Sequence, residues 1–333
     1  MKRVFSGSRP TGKLHLGNYL GGVKGYLELA RNPQFETIYM VMDLHAVTTP
    51  FDKNSLAQNT KDVILDYLAS GLDPEKSIIT VQSLVPEHTY LAHLISSTVT
   101  VARMLHLPTY KEKIKQYPKE STMALLNYPV LMAADILAYK AELVPVGVDQ
   151  EPHLEVAREI ARKMNEKYGT NFPEPKRFAT KGEYIPSLTG EGKMSKSVEG
   201  SYINLTDSLE EIRAKLARVP TDSGSGATVP QEGGVFTLLL LSGLFLGDDA
   251  QKELEAQYTS SGIRYKELKD RLASAIFEEL KPIQERRKEI ESRKGYLEDV
   301  ILDGAKKARK IASQILEETR EKMGFIRLVE SRT

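Results

Sequence analysis

In the first half of the chain, short β-rich apolar runs alternate with longer stretches of helical period, with turn residues at the boundaries. Arg3-Val-Phe-Ser6 opens as a strand, and the turn Ser6-Gly-Ser-Arg-Pro-Thr-Gly12 leads into a helical run from about Leu14 to Ala30, closed by Asn32-Pro33. Thr37-Ile-Tyr-Met-Val-Met42 is a continuous apolar run of strand length, suited to a central strand covered on both faces. A helix follows near 54–70, with Leu56, Val63, Ile64, Tyr67 and Leu68 on one stripe and Gly71 beyond its end. Ile78-Ile-Thr-Val81 is the third strand, and a helix runs from about Glu87 to Leu105. Strand and helix in strict alternation predict a doubly wound parallel sheet of Rossmann type.

After Pro108 the pattern loosens through Lys111-Glu-Lys-Ile-Lys115, then resumes as an apolar helical run from about Thr122 to Tyr139. Leu143-Val-Pro-Val146 reads as another strand and Glu151–Tyr168 as a strongly amphipathic helix ending before Gly169. The expected organisation is an α/β unit over 1–200, with a helical insertion at about 105–140, and an all-helical unit over 201–333. Thr221-Asp-Ser-Gly-Ser-Gly-Ala-Thr-Val-Pro-Gln-Glu-Gly-Gly234 has the composition of a flexible connector, and 207–218, 235–246, 249–258, 262–292 and 296–323 read as helices.

With 46 basic and 45 acidic side chains the net charge is +1, so any contact with a polyanion must be local. The chain has no cysteine, which removes disulfides, thiolate metal sites and cysteine nucleophiles. The run from Phe236 to Leu246 is too short to span a bilayer, and Met1-Lys-Arg-Val-Phe-Ser6 lacks a signal-peptide core, so a soluble cytoplasmic protein without membrane contact is expected. The histidines lack metal-ligand spacing, and no structural metal is expected.

Three segments carry chemistry. The turn at Ser6–Gly12 fits neither the P-loop nor the three-glycine dinucleotide pattern, but it precedes a helix start, where free N–H groups and the helix dipole favour phosphate. That helix opens Leu14-His15-Leu16-Gly17-Asn18: Gly17 permits close approach of a ligand, and His15 and Asn18, three apart, share a face. Taken alone, this is equally a helix start with a satisfied His. Glu191-Gly-Lys-Met-Ser-Lys-Ser197 sets Lys193 and Lys196 as point charges and Ser195 and Ser197 as donors in a glycine-flanked loop, a composition suited to closing on polyphosphate or, alone, to a basic surface. Tyr128, Met132 and Asp135 fall on one helical face. Asp135 is a carboxylate in an otherwise apolar run, which is either simply exposed or, if buried, needs a donor: a Lys, a backbone N–H, or an N–H from a ligand.

Together these segments resemble the HIGH motif (His15-Leu-Gly-Asn18) and the complete KMSKS motif (Lys193–Ser197) of class I aminoacyl-tRNA synthetases. Phe5-Ser-Gly7, Pro10–Tyr19, Tyr128–Leu137, Val144–Gln150 and Thr221-Asp-Ser223 occur in the order and spacing of the tryptophanyl-tRNA synthetase family, over nearly the whole chain. The resemblance implies ATP with Mg²⁺, L-tryptophan and tRNA(Trp) as partners, a homodimer, and anticodon reading by the helical C-terminal unit. It implies catalysis by Lys193, Lys196, His15 and Asn18, and ATP contacts from Arg9, Pro10, Thr11, Gly17, Asn18, Gly147, Val148, Asp149, Ile185 and Lys193–Ser197, with Met194 near the adenine. It places Phe5, Gly7, His45, Tyr128, Met132, Asp135 and Gln150 around the amino acid, with Gln150 and Tyr128 near its ammonium group.

Two positions depart from the family pattern. Val148 stands where many members carry an acidic residue, and Arg9 replaces a frequent Gln, bringing a guanidinium that suits phosphate or carboxylate. Phe5 separates this chain from tyrosyl-tRNA synthetases, which typically place a Tyr hydroxyl there for the substrate phenol; its plain ring is also compatible with core packing. A tyrosine substrate would leave its buried hydroxyl unpaired, at a cost of about 1–3 kcal/mol. The competing readings are a tyrosyl-tRNA synthetase, a nucleotidyltransferase with a similar helix start, and a silent RNA-binding relative. Lys111, Lys113, Lys115 and the basic stretch Lys281–Lys294 read as solvated faces or RNA contacts.

Overall fold

A computed structural model describes residues 1–119, 121–180 and 184–326. Five parallel strands run in the order β3-β2-β1-β4-β5: β1 is Lys2–Ser8, β2 Phe35–Val41, β3 Ser77–Val81, β4 Leu143–Pro145 and β5 Lys176–Phe178. Successive side chains of the central strands enter opposite cores. Val4, Tyr39 and Val41 join one apolar cluster, while Phe5, Ile38 and Met40 join the other. The doubly wound expectation therefore holds. The strand order reverses direction between β1 and β4, and the crevice beyond their carboxyl ends is where such sheets bind ligands. The Ser6 hydroxyl donates to the Pro145 carbonyl at 2.8 Å and ties the two strands at that point.

The helical run after β1 begins at Leu16 rather than Leu14. It comprises α1 (Leu16–Asn18), a π-helical turn over Tyr19–Val23 and α2 (Lys24–Arg31). Gly21 and Gly22 lower helical propensity there, and the Thr180 hydroxyl takes the Gly21 carbonyl at 2.7 Å, leaving the ladder free to widen. Helix α3 (Leu56–Ala69) follows β2, but the helix expected over 87–105 is broken into α4 (Glu87–Ser96) and α5 (Val101–Leu105). Ser96, Ser97 and Thr98 turn their hydroxyls back onto carbonyls three residues earlier, and Thr100 caps α5. The polar stretch Lys111–Lys115, where the pattern loosens, is part of helix α6 (Pro108–Gln116), started by a proline that needs no N–H partner. Helix α7 (Met123–Leu137) precedes β4, and α8 (Glu151–Tyr168) ends at Gly169 in the left-handed conformation, as the sequence suggests.

Strand β5, three residues with only partial burial, has no hydrophobic signature and is not legible in the sequence. The later helices are α9 (Leu209–Ala217), α10 (Gly233–Leu246), α11 (Asp248–Tyr258), α12 (Tyr265–Ser292) and α13 (Tyr296–Lys322). The Gly- and Ser-rich connector is pinned at Asp222, which accepts from the Tyr258 and Tyr265 hydroxyls at 2.5 and 2.6 Å. Helices α12 and α13 pack back onto the first half of the chain. Leu272, Ile276 and Leu280 share a core with α3, while α13 contributes Val300 and Ile301 to one core and Ala308, Ala312 and Leu316 to the other. Among the described residues no helix is long and apolar enough to cross a membrane.

Candidate active site

His15 is 7% exposed and forms a reciprocal capping box at the start of α1. Its Nδ1 accepts from the Asn18 amide at 3.3 Å, and the Asn18 Oδ1 accepts from the His15 amide at 3.2 Å. Burial, reinforced by the charges of Lys196 and Lys193, lowers the imidazole pKa to about 4. The ring is therefore neutral at physiological pH, and with Nδ1 accepting, the proton sits on Nε2 as a donor.

The lysine loop folds over this helix start. Residues 185–194 form a narrow loop in which the Met194 amide donates to the Ile185 carbonyl at 2.9 Å, so Ile185 holds the loop through its backbone. Met194 is buried beside Gly17: a Cβ at Gly17 would stand 3.2 Å from the Met194 Cβ and 3.0 Å from the His15 Cε1. Lys196 donates to the Thr11 carbonyl at 2.9 Å and also to the Lys13 carbonyl, while burial lowers its pKa. Ser195 and Ser197 bond each other through their hydroxyls at 2.8 Å. Lys193 reaches across to the Asp149 carboxylate at 3.0 Å. The two motif segments, remote in sequence, thus meet over the carboxyl ends of β1 and β4.

Asp149 does not cap α8. It accepts from Lys193 and from the Gln150 amide at 3.0 Å, and α8 begins without a side-chain cap. Gly147 lies just before this turn and Val148 is 59% exposed, with no polar partner to offer. Arg9 donates to the Thr49 hydroxyl at 3.0 Å and faces Tyr117, Tyr128 and Lys113. Beside it a cleft of about 170 Å³ is lined by Arg9, Pro10, Thr11, Phe51 and Asn59. A larger hollow of about 380 Å³ lies at the opposite end of the sheet, where β2 and β3 begin, away from every motif residue.

Asp135 is fully buried. Its Oδ2 accepts from His45 Nε2 at 2.8 Å, and its Oδ1 accepts from Gln82 Nε2 at 2.8 Å and His88 Nδ1 at 2.7 Å. Burial pushes the carboxyl up, but the histidine hydrogen bonds outweigh it and hold the pKa at about 2. Phe5 stacks on Tyr139 at 5.3 Å, and the Tyr139 hydroxyl meets His88 Nε2 at 2.6 Å, so Phe5 acts as packing beneath this network. Gly7 is required by its neighbours, since a Cβ there would lie 2.5 Å from the Met40 carbonyl oxygen. Half-buried Met132 is one turn from Asp135 on α7.

Tyr128 and Gln150 are joined through a residue the sequence did not single out. The Tyr128 hydroxyl lies 2.7 Å from His153 Nε2 and 2.9 Å from the Thr109 hydroxyl, and His153 Nδ1 lies 3.1 Å from Gln150 Oε1. Burial lowers the His153 pKa to about 4, overriding nearby Asp149. Gln82, His88, Thr109 and His153 were missed. The available signal was slight: Gln82 follows the apolar run Ile78–Val81, whereas His88 and His153 stand among polar neighbours and show their burial, and hence their need of a partner, only in the fold.

This site defines a class of protein: the doubly wound α/β enzymes that set a HIGH-type helix start against a KMSKS loop at a topological switch point. The chain belongs to the family described as tRNA synthetases class I (W and Y), whose profile matches residues 1–281. It is 40% identical over 332 residues, 98% of this chain and 100% of the relative, to a tryptophan–tRNA ligase of Deinococcus radiodurans. The structure is similar to a tryptophanyl-tRNA synthetase of Campylobacter jejuni complexed with ADP and tryptophan (TM-score 0.82, 31% identity, 97% of this chain and 100% of that one). It is similar also to that of Mycoplasma pneumoniae (TM-score 0.85, 31% identity, 98% of both chains).

Proposed function

We propose that the chain is a tryptophan–tRNA ligase, which activates L-tryptophan with ATP and transfers it to tRNA(Trp). The observation that carries this reading is the meeting of Lys196 with the carbonyls of Thr11 and Lys13 beside the His15–Asn18 helix start. A carboxylate oxygen of tryptophan attacks the ATP α-phosphorus in line; the new O–P bond forms as the bond to the β-phosphate oxygen breaks, giving the adenylate and pyrophosphate. His15 Nε2–H would face the phosphates, and Lys193 and Lys196 would neutralise the charge that develops on them. In the second half the terminal 2′-hydroxyl of the tRNA takes the acyl group from the adenylate, releasing AMP.

Asp149 and Gly147 would hold the ribose, Met194 the adenine side, Gln150 and Tyr128 the ammonium group, and Asp135 the indole N–H. Mg²⁺, bound with the nucleotide, would spread the charge of the triphosphate. We extend the reading to a cytoplasmic homodimer whose helical C-terminal unit reads the anticodon. Pyrophosphate exchange measured with tryptophan and with tyrosine tests it. Exchange with tryptophan alone, followed by charging of tRNA(Trp), is expected; preferred exchange with tyrosine, or binding of tRNA without exchange, would reject it.

A further inference from the structure

The peptide group between Lys13 and Leu14 is held from both sides. Its carbonyl accepts from Lys196, and its N–H donates to Asp66 Oδ2 at 2.6 Å. The other oxygen of Asp66 accepts from Arg287 Nη1 on α12, and Arg287 Nη2 reaches Asp62 at 2.6 Å. Asp66 is fully buried and Arg287 is 5% exposed. A continuous chain of polar contacts therefore runs from a guanidinium in the second half of the protein, through one carboxylate and one peptide unit, to the second KMSKS lysine.

Two further residues of α12 grip the same segment. Gln284 Nε2 donates to the carbonyls of Leu205 and Asp207 at 2.8 and 2.9 Å. That strip in turn bonds the Leu14–Leu16 backbone: the Leu205 amide donates to the Leu14 carbonyl at 3.0 Å, and the Leu16 amide to the Ile203 carbonyl at 2.8 Å. Glu279 accepts from the Tyr19 hydroxyl at 2.9 Å, just past Asn18. Glu279, Gln284 and Arg287 so brace the phosphate-facing turn at its end, along its side and at its entry. None of them lies among the motif residues, and a fully buried ion pair is a costly way to gain stability alone.

We propose that Arg287 and Asp66 are positioning residues for the activation step, setting the Lys13–Leu14 peptide so that Lys196 and the His15–Asn18 helix start meet the triphosphate in register. This deepens the ligase reading and rests on it. Substrate is not touched, so the effect falls on the transition state, where small displacements are costly, rather than on amino-acid binding.

The test uses the full chain and tryptophan-dependent pyrophosphate exchange, with tryptophan binding followed separately by indole fluorescence. Exchange by the unaltered chain checks the ligase reading first and independently. Arg287→Gln and Asp66→Asn are expected to lower kcat at least tenfold while the tryptophan dissociation constant moves less than twofold. The double variant should lose no more than the worse single one, and Arg287→Lys should recover part of the loss. If Arg287→Gln fails to fold, Gln284→Ala, which removes only the two carbonyl contacts, carries the test, with a severalfold fall in kcat expected at unchanged tryptophan binding. Folded variants with kcat within twofold of the parent, or a loss confined to tryptophan binding, would overturn the proposal.

Discussion

His45 Nε2 lies 2.8 Å from Asp135 Oδ2, so the carboxylate proposed to read the indole is already hydrogen-bonded on both oxygens by the protein alone. An indole N–H must therefore share Oδ2 with His45 or displace it. The chain contains no tryptophan, so indole emission reports the ligand directly. Asp135→Ala should abolish the spectral change on titration with L-tryptophan. It should also lower stability, because His45, His88 and Gln82 lose their acceptor at about 1–3 kcal/mol for each donor left buried and unpaired. Binding measured well below the melting temperature separates the two effects; unchanged binding by a folded variant would remove Asp135 from the indole site.

Lys196→Ala should behave in the opposite way. The partners it loses are the Thr11 and Lys13 carbonyls, which water can satisfy, so the fold should hold and tryptophan binding persist. Loss of a preorganised cation opposite developing charge is expected to cost about 10²- to 10³-fold in exchange rate. A variant that exchanges within threefold of the parent would show that the loop acts only as a cover.

Much of this was readable from the sequence because periodicity reports burial along one element. The apolar runs of β1, β2 and β3, the amphipathic α8 with its Gly169 stop, and the two motif segments all announce themselves locally. What was hidden depends on partners brought from elsewhere. Asp135 meets His88 only through the packing of α4 against α7, and Gln82 only because the turn after β3 ends beside α7; no spacing rule links those positions. The return of α13 onto β3 was equally invisible, because its signal is a small residue at one point of contact, Gly304, inside an ordinary amphipathic helix.

That contact makes a stability prediction. A Cβ at Gly304 would stand 2.0 Å from the Ile79 carbonyl oxygen and 2.8 Å from its carbon, with backbone on the far side that cannot swing away. Gly304→Ala should force α13 off β3 and lower unfolding free energy by about 1–3 kcal/mol, as overpacking does elsewhere. Gly169→Ala, where nothing lies within 4 Å and only the left-handed backbone objects, should cost less. Chemical denaturation of both variants checks the order; equal losses would mean that helix and strand can separate cheaply.

Acid should weaken the protein through His153. Its pKa is about 4 in the fold against an ordinary 6.5, so between those values the unfolded chain binds a proton that the native state refuses. Stability from this group is complete above pH 6.5 and drains away as pH falls toward 4. His15 carries the same sign over the same range. Asp135, held at about 2, titrates below that window, whereas Asp66, raised by burial to about 6, opposes the histidines within it by favouring the native state as pH falls. A single pH curve therefore mixes signs, and a difference isolates one group. His153→Gln keeps an acceptor for the Tyr128 hydroxyl and cannot be protonated. Between pH 7 and 4.5 the parent should lose up to about 2 kcal/mol more stability than this variant, read from denaturant midpoints at each pH. Parallel curves would mean that His153 takes up its proton in the folded protein as readily as in the unfolded chain.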